Sequence, residues 1–221
     1  MEYKKYFPFW DKLSDEQKSY LSERIRIKTF KSGERIHDAS DCLGFLVVVS
    51  GRLRAYAISE EGKELTLYRL LEYDACLFSA SCAINSLNFD VMVYAETDAE
   101  AVYIPSDVYK RLLNESLVVA NYTNELMASR LSDIMQVMDQ IVNKRMDSRI
   151  ANFLLEESVL EESATLKLTH SQIANHLGSA REVASRILKL FESDGAIELG
   201  RGEIRILDAD ALKKIVANRG I

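Results

Sequence analysis

Two sequence signatures of a helix start lie ten residues apart within the segment at 168–188, and they constrain the fold more than any other feature. Thr169 opens a T-x-x-Q pattern, and Ser179 opens an S-x-x-E pattern. Both are capping boxes, in which the hydroxyl and the Gln or Glu side chain satisfy backbone groups in the first turn of a helix. Gly178 precedes the second pattern, where a glycine can end the first helix in the left-handed conformation. The segment therefore predicts two short helices joined by a tight turn, which is a helix-turn-helix.

The second of these helices has one polar face. At 100° per residue, a stripe of about 140° holds only polar side chains, namely Arg181, Glu182, Ser185, Arg186 and Lys189. The other side is apolar and is expected to pack on the first helix: Val183, Ala184, Ile187, Leu190 and Phe191. Arginine can donate two hydrogen bonds to guanine and glutamate can accept one from cytosine, so the face suits the DNA major groove. A solvated face with charge pairs is the alternative, but the neighbouring capping boxes and turn favour DNA.

The chain up to about residue 105 consists of short β-rich runs, at 24–30, 45–58, 64–71, 89–96 and 99–104. Glycine-containing turn signals separate them and leave no room for crossover helices, so the strands are expected to pair antiparallel. Before them, Ser14 opens a further capping box that predicts a short helix. The sequence therefore predicts an α+β protein that begins with an antiparallel β-roll.

A stretch without glycine or proline runs from about 107 to 143 and predicts one helix of about 30 residues. Apolar residues recur along it at 4-3-4-3 spacing, which winds a seam along one side of a helix as in a coiled coil. The predicted dimer interface is the C-terminal part of this seam: Met127, Leu131, Ile134, Met138 and Ile141. A second apolar set would cover the β-roll: Tyr122, Leu126, Met135 and Val142. We expect a homodimer; the alternative is an amphipathic helix that lies only on the β-roll.

Three domains are expected from these changes of pattern. The β-roll, in the role of a sensor, occupies 1–112, the dimerisation helix and a hinge occupy 113–145, and a DNA-binding domain occupies 146–221. Within the last domain, two short β-rich runs flank Gly200-Arg201-Gly202 and predict a β-hairpin with a glycine-rich tip. A helix-turn-helix followed by such a hairpin is a winged helix-turn-helix.

In this order of parts, nearly the whole chain resembles the CRP/FNR family of bacterial transcription regulators, whose β-roll is of the cyclic-nucleotide-binding type, a double-stranded β-helix. Within the family, the start of the second helix of the helix-turn-helix reads bases, and the resemblance carries this role to Arg181, Glu182 and Arg186. Ser185 fits both the Arg-Glu-x-x-x-Arg pattern of cyclic-AMP receptors and the Glu-x-x-Ser-Arg pattern of FNR proteins, so its role stays open. The shared Glu-Arg pair implies a G·C step in each half-site of an inverted-repeat operator.

Phosphate contacts are expected from residues whose hydroxyl, cation or helix-start position suits that work: Thr169, His170, Ser171 and Arg201. Ser179 and Lys189 complete the predicted DNA-binding residues. The alternative for the phosphate set is capping and solvation. For Thr169 this alternative carries equal weight, because its hydroxyl already has a capping role.

The effector is not identified by the sequence. Cyclic-nucleotide-binding members of the family supply a Gly-Glu pair and an arginine from a cassette in the roll, whereas the corresponding stretch here has no arginine before Arg111. Cyclic AMP is therefore not expected, and an iron–sulfur cluster is not expected because the chain has three cysteines where about four thiolates are needed. Cys76 and Cys82 form a thiol redox switch if either has a depressed pKa; buried, inert thiols are the alternative. A further hypothesis is a regulator that binds no ligand at all.

The bulk composition limits the remaining classes of function. A formal net charge of −6 means that any DNA site must be local. No apolar run approaches the ~20 residues of a membrane span, so we expect no membrane contact and a cytoplasmic protein. The expected partners are double-stranded DNA, a second copy of the chain and a small-molecule effector. RNA polymerase is a further candidate at the acidic surface around 156–162, for which a solvated loop is the favoured alternative.

An enzyme is the alternative to this interpretation. A cupin-like β-barrel metalloenzyme fused to a helical domain needs several histidines around its metal, but His37 is the only histidine outside the predicted DNA-binding domain. No phosphate loop or nucleophile motif is found in the sequence either. We therefore expect no catalytic residues and no metal site. Activation or repression does not follow from the sequence.

Overall fold

The contacts within the computed structural model, which describes residues 2–37, 43–79 and 91–217, divide the chain into two units. The first comprises Met1–Ile58 and Leu67–Ile134, and the second comprises Ser59–Thr66 and Met135–Ile221.

Among the described residues, the first unit contains eight strands in antiparallel sheets, most of which the β-rich runs predict. They are β1 (Arg26–Phe30), β2 (Arg35–His37), β3 (Gly44–Ser50), β4 (Leu53–Ile58), β5 (Glu64–Leu70), β6 (Ala75–Cys76), β7 (Val91–Ala95) and β8 (Ala99–Pro105), where β5 begins in the second unit. One sheet has the order β1-β8-β3-β6 and the other β2-β7-β4-β5. The strands β2 and β6, of three and two residues, were not predicted, because such short runs show no alternation of their own.

Two apolar clusters form the core of the first unit. One cluster contains residues of both sheets, such as Leu46 of β3 and Leu53 of β4. The other lies where β3 meets the flanking helices and contains Phe45, whose ring stacks on Tyr109 at 4.4 Å between centroids. The helix α1 (Asp15–Ser22) also contributes to it, and its predicted capping box at Ser14 is confirmed.

The prediction of a single helix over 107–143 is wrong at one point. The chain forms α2 (Ser106–Glu115) and α3 (Leu117–Asn143), and between them Ser116 is extended, with φ −129° and ψ 106°. Leu112 of α2 and Val119 of α3 are both buried in the same apolar cluster. The change of direction at Ser116 allows both helices to bury a face there, and tertiary packing of this kind overrides helix propensity.

The second unit is a small α+β fold. It contains α4 (Met146–Leu160), β9 (Thr165–Leu166), α5 (His170–His176), α6 (Arg181–Ser193), β10 (Ile197–Gly200), β11 (Glu203–Ile206) and α7 (Ala209–Ala217). The three strands pair antiparallel in the order β10-β11-β9, which confirms the predicted hairpin with its tip at Arg201 and Gly202. One apolar cluster, which includes Phe153, Ile173 and Leu188, joins α4, α5 and α6. The predicted helix-turn-helix is therefore packed on a core of its own.

Candidate nucleic-acid interface

The first helix start of the helix-turn-helix is built as predicted. Gln172 N donates to Thr169 Oγ1 at 3.2 Å, and Thr169 N donates to Gln172 Oε1 at 2.8 Å, which is a complete capping box. Gly178 has a φ of +66°, so the turn uses the left-handed conformation that was predicted for it.

The second predicted capping box, at Ser179, is wrong. Helix α6 begins at Arg181, its N-cap is Ala180, and no side chain caps it. Ser179 N instead donates to Ala174 O at 2.9 Å, which closes the turn after α5. The tight turn therefore fixes the backbone of Ser179 one residue before the cap, and the S-x-x-E pattern is out of register with the helix start.

Residues far away in the sequence hold the end of α5, and no local pattern predicts them. The buried Arg149 of α4 donates from Nη2 to the carbonyl oxygen of Leu177 at 2.7 Å, and burial lowers the pKa of its guanidinium. From the 59–66 segment of the second unit, Thr66 Oγ1 lies 2.9 Å from His176 Nδ1. Helix α5 ends in a short segment that is held from two sides, which orients the turn before α6.

The buried face of helix α6 is narrower than the predicted face and is turned slightly about the helix axis. Ala184, Leu188 and Phe191 are fully buried, as expected of a stripe at 4-3 spacing. Leu190, which was expected to pack on α5, is 53% exposed. The helix contacts both α5 and the β10 strand of the wing, so its buried side is set by two neighbours rather than one.

The five polar residues predicted to face DNA are brought together. Arg181, Glu182, Ser185, Arg186 and Lys189 line one open depression on the surface of α6, which we call the α6 groove. Ser185 is half-buried and the other four are exposed. Within the described part of the chain, no ion pair neutralises the two arginines or the lysine. Three cations and one carboxylate are therefore presented side by side to solvent.

Two hydrogen bonds tie α6 to its neighbours. His170 Nδ1 on α5 lies 3.2 Å from Ser185 Oγ, and Glu192 Oε1 accepts from the backbone N–H of Leu199 in the wing at 3.0 Å. Partial burial lowers the pKa of His170, with the charges of Arg181 and Lys189 acting in the same direction. Sequence reasoning missed Glu192, since a glutamate on a helix surface carries no signal of a backbone partner elsewhere.

The residues predicted to contact phosphates are less uniform. Ser171 and Arg201 are exposed, the latter at the wing tip, and His170 is half-buried. Thr169 donates its hydroxyl hydrogen to Gln172 Oε1 at 2.9 Å, so capping already uses this hydroxyl as donor and as acceptor. Ser179 is half-buried in the turn.

The predicted dimer seam on α3 is only partly exposed. Met127 and Ile134 are half-buried, whereas Leu131, Met138 and Ile141 are exposed, Leu131 by 60%. Of the second apolar set, Tyr122 and Leu126 pack on the first unit as predicted. Met135 and Val142 are exposed, and they join the uncovered stripe. The α3 stripe, as we define it, therefore comprises Leu131, Met135, Met138, Ile141 and Val142.

The predicted redox pair is not supported at the residue that can be described. Cys76 is fully buried, and burial raises the pKa of its thiol, which is the opposite of the depressed pKa that a reactive thiol needs. Cys82 lies outside the described residues. Close to Cys76, the guanidinium of Arg130 on α3 lies 4.7 Å from the centre of the Tyr68 ring. The sequence did not predict that Arg130 lies close to the residues of the roll, because Arg130 belongs to a helix.

The described residues 2–37, 43–79 and 91–217 also bear on metal sites and membrane spans. No group of three or more His, Cys, Asp or Glu side chains is placed to hold a metal ion there. In the same ranges, no helix has the length and apolar content that crossing a membrane would require.

Comparison with known proteins agrees with this geometry. The family described as the Crp-like helix-turn-helix domain matches residues 148–215. A CRP/FNR family protein from Eubacterium rectale, known from a crystal structure, is 47% identical, with a TM-score of 0.94 over 96% of this chain and 99% of that one. The transcriptional regulator SdrP of Thermus thermophilus is 28% identical over 179 residues, which are 78% of this chain and 84% of that protein. The cyclic AMP receptor protein of the same species is 24% identical over 210 residues, 94% of this chain and 96% of that protein.

Proposed function

Because the chain belongs to the CRP/FNR family of transcription regulators, we propose that it binds an inverted-repeat operator as a homodimer, with α6 of each copy reading one half-site. It is a transcription regulator with a helix-turn-helix DNA-binding domain and not an enzyme. The cupin-like alternative is therefore set aside.

The observation that carries the proposal is the α6 groove. Its arginines are exposed and free of ion pairs among the described residues, so they can donate to guanine O6 and N7 without first breaking a salt bridge. We assign base contacts to Arg181 and Arg186, and an acceptor role toward cytosine N4 to Glu182. Lys189 lies further along the same groove and suits a phosphate at its edge, since an ammonium acts as a point charge.

The phosphate contacts are proposed mainly for the wing and the start of α5. Arg201 at the wing tip and Ser171 on α5 are exposed. The hydrogen bond from Leu199 N to Glu192 fixes the wing against α6, so that Arg201 approaches the backbone beside the groove that α6 enters. The hydroxyl of Thr169 is excluded from this role by its capping bonds, and its backbone N–H already donates to Gln172 Oε1. Ser179 is half-buried in the turn, and we propose that it makes only a weak contact with a phosphate.

The partner of the α3 stripe is proposed to be a second copy of this chain. Leu131, Met135, Met138 and Val142 lie within about 60° of one another on the helix, which is the width of a coiled-coil seam. Their exposed fractions run from 51% to 76%. A twofold axis along such a seam lets identical stripes cover each other and presents two copies of α6. Ile141 flanks the seam, while the half-buried Met127 and Ile134 take a smaller part than the sequence predicted.

Control through the β-roll is proposed for an effector other than cyclic AMP. The relative from Thermus thermophilus is named for cyclic AMP, but this chain has no arginine between Arg69 and Arg111 to meet a cyclic phosphate. Arg130 supplies a cation, yet its guanidinium lies 2.9 Å from Asp133 and 3.6 Å from Asp74, two carboxylates that already balance its charge. Arg130 thus gives no support to binding of a nucleotide phosphate. The buried thiol of Cys76 also gives no support to a redox signal.

Selection of binding sites from random double-stranded DNA tests the proposal. We expect an inverted repeat with a G·C step in each half-site and half-site centres about 34 Å apart, which is one turn of the duplex. Direct repeats, or the absence of any motif, would refute it. Arg205, which is paired with Glu198 in the wing, serves as a control residue, since replacing it with Ala should leave the selected motif unchanged.

A further inference from the structure

Ser185 lies in the α6 groove, but a residue of another helix holds its hydroxyl. His170 is the first residue of α5, and its Nδ1 lies 3.2 Å from Ser185 Oγ in the second turn of α6. His170 itself does not line the groove. The bond thus connects a hydroxyl that faces the proposed DNA site to a titratable ring behind it.

The direction of this hydrogen bond determines what Ser185 offers to DNA. A serine hydroxyl has one hydrogen to donate and lone pairs that accept. If His170 Nδ1 carries no hydrogen, it accepts the hydroxyl hydrogen, and Ser185 can only accept from a base. If Nδ1 carries a hydrogen, it donates to Oγ, and Ser185 keeps its own hydrogen for a base. The imidazolium has hydrogens on both ring nitrogens, so it permits only the second arrangement.

We propose that His170 is a specificity-determining residue that sets the hydrogen-bond role of Ser185, so that acidification shifts the base preferred beside Ser185 toward one that presents an acceptor. In the major groove, the acceptors are guanine O6 and N7, adenine N7 and thymine O4, whereas the amino donors are cytosine N4 and adenine N6. Protonation of His170 favours thymine and guanine at that position over cytosine. The inference rests on the proposed contact between α6 and DNA.

The surroundings of His170 act on the pKa of its ring in both directions. Among the described residues, the charges that act on the ring are Arg181, Lys189 and Glu192, all on α6. Partial burial and the two cations disfavour the imidazolium, while Glu192 favours it. DNA phosphates act in the same direction as Glu192. The pKa of His170 is therefore lowered in the free protein, and we expect the phosphates of bound DNA to raise it again.

Binding to a panel of operators tests the inference. Starting from the selected operator, each base of one half-site is replaced by the other three, and affinities are measured at about pH 5.5 and about pH 8, on either side of the usual histidine range. For the unchanged protein, we expect the thymine-to-cytosine affinity ratio at one position to rise about two- to tenfold on acidification, the range of one neutral hydrogen bond. Ser185→Ala and His170→Phe should both abolish this rise, while preferences at the other positions keep their pH dependence.

The control outcomes separate this inference from a simple charge effect. Equal strengthening of all four bases at low pH would mean that the imidazolium only attracts phosphate, and it would overturn the inference. So would a rise that persists in Ser185→Ala, a variant that retains His170 and so remains informative if His170→Phe fails to fold. If a motif is selected but its preferences do not change with pH, only this inference fails. If no motif is selected at either pH, the proposed function fails and the inference falls with it.

Discussion

Helix α6 and the C-terminal half of α3 both leave one face uncovered in the single chain, but the two faces differ in chemistry. The α6 groove presents three cations and a carboxylate, whereas the α3 stripe presents five apolar side chains. A charged face is stable in water on its own, but an exposed apolar stripe of this length is typical of a protein interface. The comparison indicates that the α6 groove suits a polyanion as its partner, whereas the α3 stripe suits another protein surface.

The difference also predicts how much DNA affinity is lost when each face is changed. A change on α6 removes individual contacts to DNA. A change on α3 removes the second copy, and with it every contact that the other half-site makes.

The double variant Leu131→Asp, Met138→Asp should have the largest effect. Two buried charges facing their copies would break the proposed dimer, and affinity for the full operator should fall roughly a hundredfold or more, because the two half-sites no longer bind together. Sedimentation and fluorescence anisotropy measure the two consequences. Val159→Asp is the matched control, since Val159 is 78% exposed on α4 and should tolerate the charge. A variant that stays dimeric would contradict the assignment of the stripe.

Arg186→Ala should weaken binding to the preferred operator by ~1–3 kcal/mol and relax the preference at one base pair. Arg186→Lys keeps the charge but loses the planar pair of donors, so it should restore part of the affinity and little of the specificity. Anisotropy with operators changed at single positions measures both. An unchanged preference in Arg186→Ala would show that this side chain does not read a base.

Gly178→Ala should destabilise the protein by ~1–2 kcal/mol, because an alanine is strained at a φ of +66°. Its Cβ would also lie 3.2 Å from Leu65 Cδ1, which is a tight contact. Gly195→Ala is the control: its φ is +73°, but nothing lies within 4 Å of the added atom. Thermal unfolding of both variants should show the larger loss for Gly178→Ala; equal losses would mean that Leu65 moves aside without cost.

Arg201→Ala should have the smallest effect and no effect on sequence preference. As a phosphate contact, it should weaken all operators alike and reduce the slope of log affinity against log salt by about one. Arg205→Ala, whose arginine is already paired with Glu198, should leave the slope unchanged. A change of base preference in Arg201→Ala would place the wing in a groove instead of on the backbone.

Sequence reasoning succeeded for most local signals, and the capping box expected at Ser179 is the exception. Alternation and turn residues located the longer strands of the roll, and the capping box at Thr169 with Gly178 located the helix-turn-helix, because each depends on neighbours in the chain. The polar residues of α6 were found in the same way, from the helical period.

It failed where tertiary contacts decide. The break at Ser116, the exposure of Leu190 and the exposure of Met135 each depend on which neighbours a helix packs against. The bond between Arg149 and Leu177 joins residues 28 positions apart, and that between Thr66 and His176 joins residues 110 apart. No periodicity within one segment reports such pairs.

A spacing series measures the central claim most directly, namely that α3 pairing presents two α6 helices to one face of DNA. Operators are made in which about one to ten base pairs are inserted between the selected half-sites, ten being about one turn. We predict that affinity falls steeply near a half-turn insertion, where the half-sites face opposite sides of the duplex, and that the Leu131→Asp, Met138→Asp variant is insensitive to spacing. Affinity of the unchanged protein that is independent of spacing would contradict the account.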